Sequence, residues 1–251
     1  MIQDLHSHTY YSFCGKDSPE AIVEAAIAGG VALFGICDHN YGIGFGSKAI
    51  FRDPQTPNRY PPEALRNYYD HISQIKARYA GRIQILRGIE IATNPLNDKA
   101  GGKVILPENA DISYFDYCLI EHLDHESSVT DGDLFSFAKR CGCATVGIAH
   151  TDLFAFLEKR GENPLDYLQK MAKNNIFWEL NVNYDSIHRY REHAYVKQFF
   201  ESATQQEIVR QSGVRLSVGF DGHRVEDYAP ERIADCCRKL TDLGIPLAFD
   251  N

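Results

Sequence analysis

Short apolar runs alternate with longer amphipathic stretches from one end of the chain to the other. Apolar runs at 2–5, 33–37, 83–91, 114–120, 144–149, 176–180 and 214–219 read as buried strands. Helices are expected at 62–79, with Leu65, Tyr69, Ile72 and Ile75 on one stripe, at 131–141, at 164–173 behind the cap Asn163, over most of 194–211, and at 230–243. Ser18-Pro19-Glu20 supplies an N-cap, a first-turn proline and an early acid for a further helix that Gly29-Gly30 ends. A last apolar piece covers 245–249. No Ser/Gly linker separates these roughly seven βα units, so the pattern predicts one α/β domain over 1–251. Repeating βα units require a parallel sheet, and seven in succession most easily close into a barrel. The competing open, doubly wound sheet would carry a glycine-rich phosphate turn after the first strand, and the sequence has none. Two long irregular insertions, 40–61 and 92–110, are expected to cover a site.

Composition narrows the class. With 44% hydrophobic and 24% charged residues the chain is globular. No apolar stretch is long enough to span a bilayer. Met1 to Tyr10 hold two histidines and an aspartate where a secretory signal needs an apolar run, so a cytoplasmic location is expected. Thirty-four acids against 26 bases leave a net charge of −8, which argues against an extended nucleic-acid face. A small phosphate ester held locally remains compatible with it. The seven cysteines lack zinc-knuckle spacing and read as reduced, mostly buried groups.

The histidines change the picture. His6 and His8 follow the first strand, Asp38-His39 the second, and Glu90 sits near the end of the third. His122, with His125 behind it, follows the fourth strand, His150 the fifth, and Asp221-Gly222-His223 the strand before the last helix. Carboxyl ends of barrel strands share one face, so six distant segments deliver imidazoles and carboxylates to one bowl. His71, His188 and His193 fall outside this pattern. Residues two apart on a strand point the same way, so His6 and His8 can grip one ion. A histidine-rich set with a few carboxylates suits zinc, manganese or iron better than magnesium. The number of donors exceeds one tetrahedral shell, so two to three divalent ions are expected.

The runs Asp4-Leu5-His6-Ser7-His8-Thr9, Gly35-Ile36-Cys37-Asp38-His39-Asn40, Gly88-Ile89-Glu90-Ile91, Ile148-Ala149-His150, Glu179-Leu180-Asn181 and Gly219-Phe220-Asp221-Gly222-His223 resemble the polymerase-and-histidinol-phosphatase (PHP) family, in the family's order. The resemblance implies a distorted (β/α)7 TIM-like barrel, a trinuclear metal centre and phosphoesterase activity. By resemblance, His6, His8, Glu90 and Asp221 hold a first ion, and Glu90 bridges to a second completed by His122 and His150. His39 and His223 hold a third with a residue just after the first motif. Where one branch of the family has histidine there, this chain has Cys14, either as a thiolate ligand or as a structural residue beside a weak or empty third site, with Asp17 as the fallback ligand. Glu121-His122-Leu123-Asp124-His125 departs from the family's Gly-Ser-x-His, and His122 is preferred to His125 by its place at the strand end.

The activity expected from this reading is hydrolysis of small phosphate monoesters, such as histidinol phosphate, a sugar phosphate or a nucleotide. Two ions ~3.5–4 Å apart would share a bridging hydroxide as nucleophile. Glu90, Asp221 and His223 are the expected catalytic residues, and the leaving group takes its proton from metal-bound water, or from His223 or His39 if the third site is empty. Arg189, Arg191, Lys16, Arg224 and Asn181 are the candidates for binding substrate, with Tyr10, Phe13, Tyr41 and Phe45 as pocket walls. The alternatives are a 3′ exonuclease-type phosphodiesterase, an amidohydrolase barrel or a metal-binding regulatory barrel without catalysis. Amidohydrolases also open with His-x-His but bridge their ions with a modified lysine, whereas the Asp38-His39 and Asp221-x-His223 pairs follow the PHP pattern.

Overall fold

The computed structural model describes residues 1–43, 63–94, 106 and 110–250. Seven strands follow one another around a single parallel sheet: β1 (Gln3–Ser7), β2 (Leu33–His39), β3 (Gln84–Ala92), β4 (Tyr117–Glu121), β5 (Val146–Ile148), β6 (Ile176–Asn181) and β7 (Leu216–Gly219). Among the described residues eight α-helices cover the sheet: α1 (Pro19–Ala28), α2 (Ala64–Arg78), α3 (Leu134–Cys141), α4 (Leu153–Arg160), α5 (Pro164–Lys173), α6 (Ala194–Glu201), α7 (Ala203–Ser212) and α8 (Pro230–Asp242). Their apolar faces, such as Ile22, Val23 and Ala26 of α1 and Tyr68, Ile72 and Ile75 of α2, pack with outward strand residues including Phe34, Ile36, Ile89 and Ile91.

The sheet curls until β7 meets β1, which makes a nearly closed barrel. At the upper end the amide of Asp221 donates to the His6 carbonyl (2.7 Å) and that of His8 to the Gly222 carbonyl (2.7 Å). At the lower end the segment after α8 fills the gap: the Leu216 amide donates to Pro246 O (3.0 Å) and the Ala248 amide to Leu216 O (2.7 Å). The Gln3 side-chain amide also donates to Ala248 O at 2.8 Å.

A second, smaller apolar cluster fills the interior: Leu5, Leu33, Cys37, Leu86, Tyr117, Leu119, Ala149, Phe177 and Ala248. Strand glycines make room for the large members. A Cβ on Gly88 would lie 2.5 Å from Tyr117 Cζ, and one on Gly147 would lie 2.3 Å from Phe177 Cε2. Tyr117 crosses the barrel and donates its hydroxyl to Leu5 O at 2.6 Å. On the outer side, Asp116 accepts Arg87 Nε (3.0 Å) and Nη2 (2.6 Å) and Lys76 Nζ (3.2 Å), tying α2 to β3 and β4. Burial raises the Asp116 pKa, but hydrogen bonds from Arg87 outweigh it and hold the carboxyl below its ordinary 3.8. Asp116→Asn should therefore cost about 2 kcal/mol near neutrality. Because the folded-state pKa is depressed, this advantage is full above the unfolded value. It is lost as pH falls through the folded one. Urea titration of both forms at neutral and acid pH checks this.

The elements differ from the sequence reading in a few places. β1 and β2 continue through Ser7 and His39, so His6 and His39 lie within strands rather than after them. The helix expected over 194–211 is two helices, because the Ser202 side chain accepts the Gln205 amide and caps a new start. Helix α4, capped by Asp152 and ended by Gly161 in the left-handed region, was not anticipated. Among the described residues no helix joins β3 to β4. Most of 40–61 and of 92–110, with Phe45, lies outside the described residues. No described helix is long and apolar enough to cross a membrane.

Candidate metal centre

The upper rim of the barrel gathers most of the chain's histidines, and a local irregularity of β1 begins the process. Its pairing with β2 slips between Asp4 and Ser7, where three steps on β1 match two on β2. A bulge of this kind re-aims the side chains that follow it. Leu5 belongs to the interior cluster, and its neighbour His6 also faces inward, onto Glu90 and Glu179.

Glu90 is the hub. It is fully buried, with Oε1 3.3 Å from His6 Nε2 and 3.2 Å from His150 Nε2. Its Oε2 lies 2.6 Å from His39 Nδ1 and 3.5 Å from His8 Nε2. Asp221 Oδ1 lies 2.9 Å from His8 Nε2, 3.6 Å from His6 Nε2 and 3.8 Å from His223 Nδ1. Burial alone would push both carboxyls up. The facing imidazoles, His39 and His6 for Glu90 and His6 and His223 for Asp221, hold them well below the usual carboxylate range.

Hydrogen bonds at Nδ1 turn the Nε2 atoms of His8 and His6 towards the carboxylates. Ser12 donates its hydroxyl proton to Asp38 at 2.7 Å, so towards His8 Nδ1, 3.1 Å away, its oxygen accepts. His8 thus carries its proton on Nδ1, and burial together with His39 and His223 lowers its pKa to about 3. The Glu179 carboxylate 2.8 Å from His6 Nδ1 calls for a proton there too. The Nε2 atoms of His6 and His8 face each other across 3.1 Å. Burial lowers the His6 pKa, but the carboxylates of Glu179, Glu90 and Asp221 around it raise it well above the ordinary value, so without a metal its Nε2 proton is directed at His8. His39 Nδ1, Glu90 Oε2 and His223 Nδ1 are buried too, His39 Nδ1 against Glu90 Oε2 at 2.6 Å and His223 Nδ1 3.5 Å from Asp185. Lone pairs and carboxylates converging in a sealed site are what divalent cations require.

Donor atoms of His6, His8 and Glu90 lie within 4.8 Å of one another, as do those of His39, Glu90 and Glu121, and those of His8, Cys14, His39 and His223. The Cys14 thiol is pushed up by burial but pulled further down by His39 and His223, to about 7. Asp17 is engaged elsewhere, accepting the Val225 amide at 2.8 Å. His122 stands 3.1 Å from Glu121 and its ring 5.9 Å from that of His150, whereas His125 Nδ1 accepts the Ser127 amide. His122, His150 and Asp221 all have positive φ (59°, 25° and 55°), a backbone state rare for such residues and typical of functional sites.

The structure brings to the site groups to which the sequence reading gave no role. Glu121 is buried beside His122, and the completely buried Glu179 backs His6. Asp185 accepts His188 Nδ1 at 2.9 Å, and His188 Nε2 reaches to 3.8 Å from Asp221. His193 stacks on His150 with ring centres 6.0 Å apart. These two histidines sit on the loop after β6, out of register with the strand-end pattern. The pair Asp185-x-x-His188 was their one available signal.

Of the residues expected to bind substrate, Arg189, Arg191 and Lys16 are exposed. Arg224 Nη1 pairs with Glu226 at 3.1 Å, and its Nε is buried without a partner. Asn181 is buried, its nitrogen donating to Glu179 (3.3 Å) and its oxygen accepting the Asn183 amide (3.0 Å). Phe13 stacks on His39 and lies 5.5 Å from Tyr41, forming one wall, while Tyr10 is exposed.

The family model of the PHP domain matches residues 4–225. Among solved structures, histidinol phosphate phosphatase from Lactococcus lactis, complexed with zinc, L-histidinol and phosphate, is 15% identical, with 98% of this chain and 95% of that one covered and a TM-score of 0.58. The putative histidinol phosphatase of Listeria monocytogenes is 15% identical, with 98% and 93% covered and a TM-score of 0.39. No curated protein matches the sequence.

Proposed function

This chain belongs to the PHP family, and on that premise we propose that it is a metal-dependent phosphoesterase hydrolysing small phosphate monoesters. The observation that carries the reading is the convergence of the Nε2 atoms of His6 and His8 on Glu90 and Asp221. His6, His8, Glu90 and Asp221 would hold one ion and Glu90, His122 and His150 a second. His39, His223 and Cys14 would hold a third. Divalent ions bound there would supply Lewis acidity and an activated water for attack at phosphorus. Zinc, present in the Lactococcus lactis structure, matches a donor set of imidazoles, carboxylates and one thiol.

The chain's own residues complete the chemistry. The Asp38 carboxylate accepts Thr9 N (2.7 Å), Thr9 Oγ1 (2.8 Å) and Ser12 N (3.0 Å), fixing the turn that orients His8. Phe13 and Tyr41 flank His39 and keep bulk water from that side. Arg189 and Arg191, beside His188 on the exposed loop, are the cations assigned to the phosphate, with Lys16 and Arg224 flanking the first and last motifs. The leaving-group proton would come from bound water, or from His223 or His39 where the third ion is not held.

A panel of phosphate esters, assayed with zinc, manganese or iron supplied, tests the proposal. Phosphate release from an aryl phosphate and at least one metabolite monoester is expected. Turnover of single-stranded DNA without monoester activity would select the exonuclease reading, and full metal loading with neither would select the non-catalytic barrel. Cobalt-substituted protein should show a thiolate-to-cobalt charge-transfer band that Cys14→Ser removes. The same band in both proteins would take Cys14 out of the centre.

A further inference from the structure

Glu179 has two oxygens, and each is committed to a different part of the candidate centre. Oε1 lies 2.8 Å from His6 Nδ1, while Oε2 accepts the His150 amide at 2.7 Å and Asn181 Nδ2 at 3.3 Å. The side chain is completely buried, and space for it is made by the facing strand. A Cβ on Gly219 would stand 1.9 Å from Glu179 Oε1 and 2.7 Å from His6 Cβ. Any side chain at Gly219 would thus push the carboxylate off His6.

We propose that Glu179 is a positioning residue that locks the His6 tautomer and the His150 turn together, so that the first two ions load as a unit. The inference rests on the metal-centre reading above. A proton held on Nδ1 by Glu179 leaves His6 Nε2 as the donor facing Glu90 and Asp221. A carboxylate behind a ligating histidine characteristically sets its orientation and basicity. The second oxygen acts on the backbone: His150 has φ 25°, a conformation that must be held from outside, and its amide is held by Glu179. One side chain thereby governs a donor of the first ion and a donor of the second. Only a carboxylate can do both, since the amide of glutamine offers one acceptor oxygen and turns an N–H towards the other donor.

The test is Glu179→Gln in chelated protein, titrated with zinc by calorimetry and checked for bound metal after dialysis. Affinity for the two tightest ions should fall together, by roughly 10–100-fold each, while the circular dichroism of the chelated form stays that of the wild type. Wild-type affinities in a folded variant, or weakening of one ion alone, would overturn the inference. Should the variant not fold, nitrogen-15 spectra of the zinc-loaded wild type decide the matter. They should show His6 protonated on Nδ1, and zinc bound through Nδ1 would refute it. Wild-type protein that binds zinc but hydrolyses no ester would defeat the proposed function and leave this inference standing.

Discussion

Glu90→Ala should lower kcat/KM on an aryl phosphate by at least ~10³-fold and strip the protein of more than one ion. The size of the effect follows from position. Four imidazoles, those of His6, His8, His39 and His150, lie between 2.6 and 3.5 Å from its two oxygens. Alanine removes the negative charge that all four share and leaves Asp221 as the carboxylate facing the Nε2 atoms of His6 and His8. A surface carboxylate lost from a binding rim would weaken KM alone; this loss should appear in kcat and in metal content together. Parallel metal analysis and steady-state kinetics, with circular dichroism to confirm folding, check it. Near-normal turnover in a folded variant would remove Glu90 from the site.

Chelation should produce the largest change in stability. The Nε2 atoms of His6 and His8, 3.1 Å apart, are arranged to share a cation. An ion present at a thousand times its dissociation constant stabilises the fold by about 4 kcal/mol. In a domain of this size each kcal/mol shifts Tm by roughly 2–4 °C, so a fall of roughly 10 °C or more is expected even if one ion alone is removed. Scanning calorimetry of chelated and zinc-restored protein measures it, and restoration should be complete. An unchanged Tm would mean that the imidazoles and carboxylates satisfy one another without metal.

Much of this centre could be read from the chain because barrel geometry turns sequence position into spatial position. The carboxyl end of every strand faces the same way, so finding His39, Glu90, His150 and Asp221 at the ends of four different strands already implied one bowl. That logic has no hold on groups that reach the bowl from a loop. His188 and His193 lie beyond β6 on irregular backbone, and only the folded turn around Asp185 brings His188 back to Asp221. Glu179 stood in one of the quoted motifs but was given no role, for a different reason. It sits inside β6, in an apolar stretch where a carboxylate reads as an exception, and its partners are contributed by β1, β5 and β7. The bulge in β1 was equally hidden, since His-x-His spacing alone gives no sign that Leu5 and His6 share a side. Helix α4 failed for want of length: eight residues leave little periodicity to detect.

The stitch between β1 and β7 also bears on how the chain refolds. The Phe220 amide and the Asp4 carboxylate that accepts it are 216 residues apart in sequence. Such a long-range closure comes late, after the loop entropy of nearly the whole chain has been overcome. Until then both outer strands offer free backbone edges to other molecules. β1 is a poor template for aggregation, because Asp4, His6 and His8 put charge and bulk where an intruding strand would have to lie flat. The residues gathered for chemistry thus double as gatekeepers while the barrel is still open.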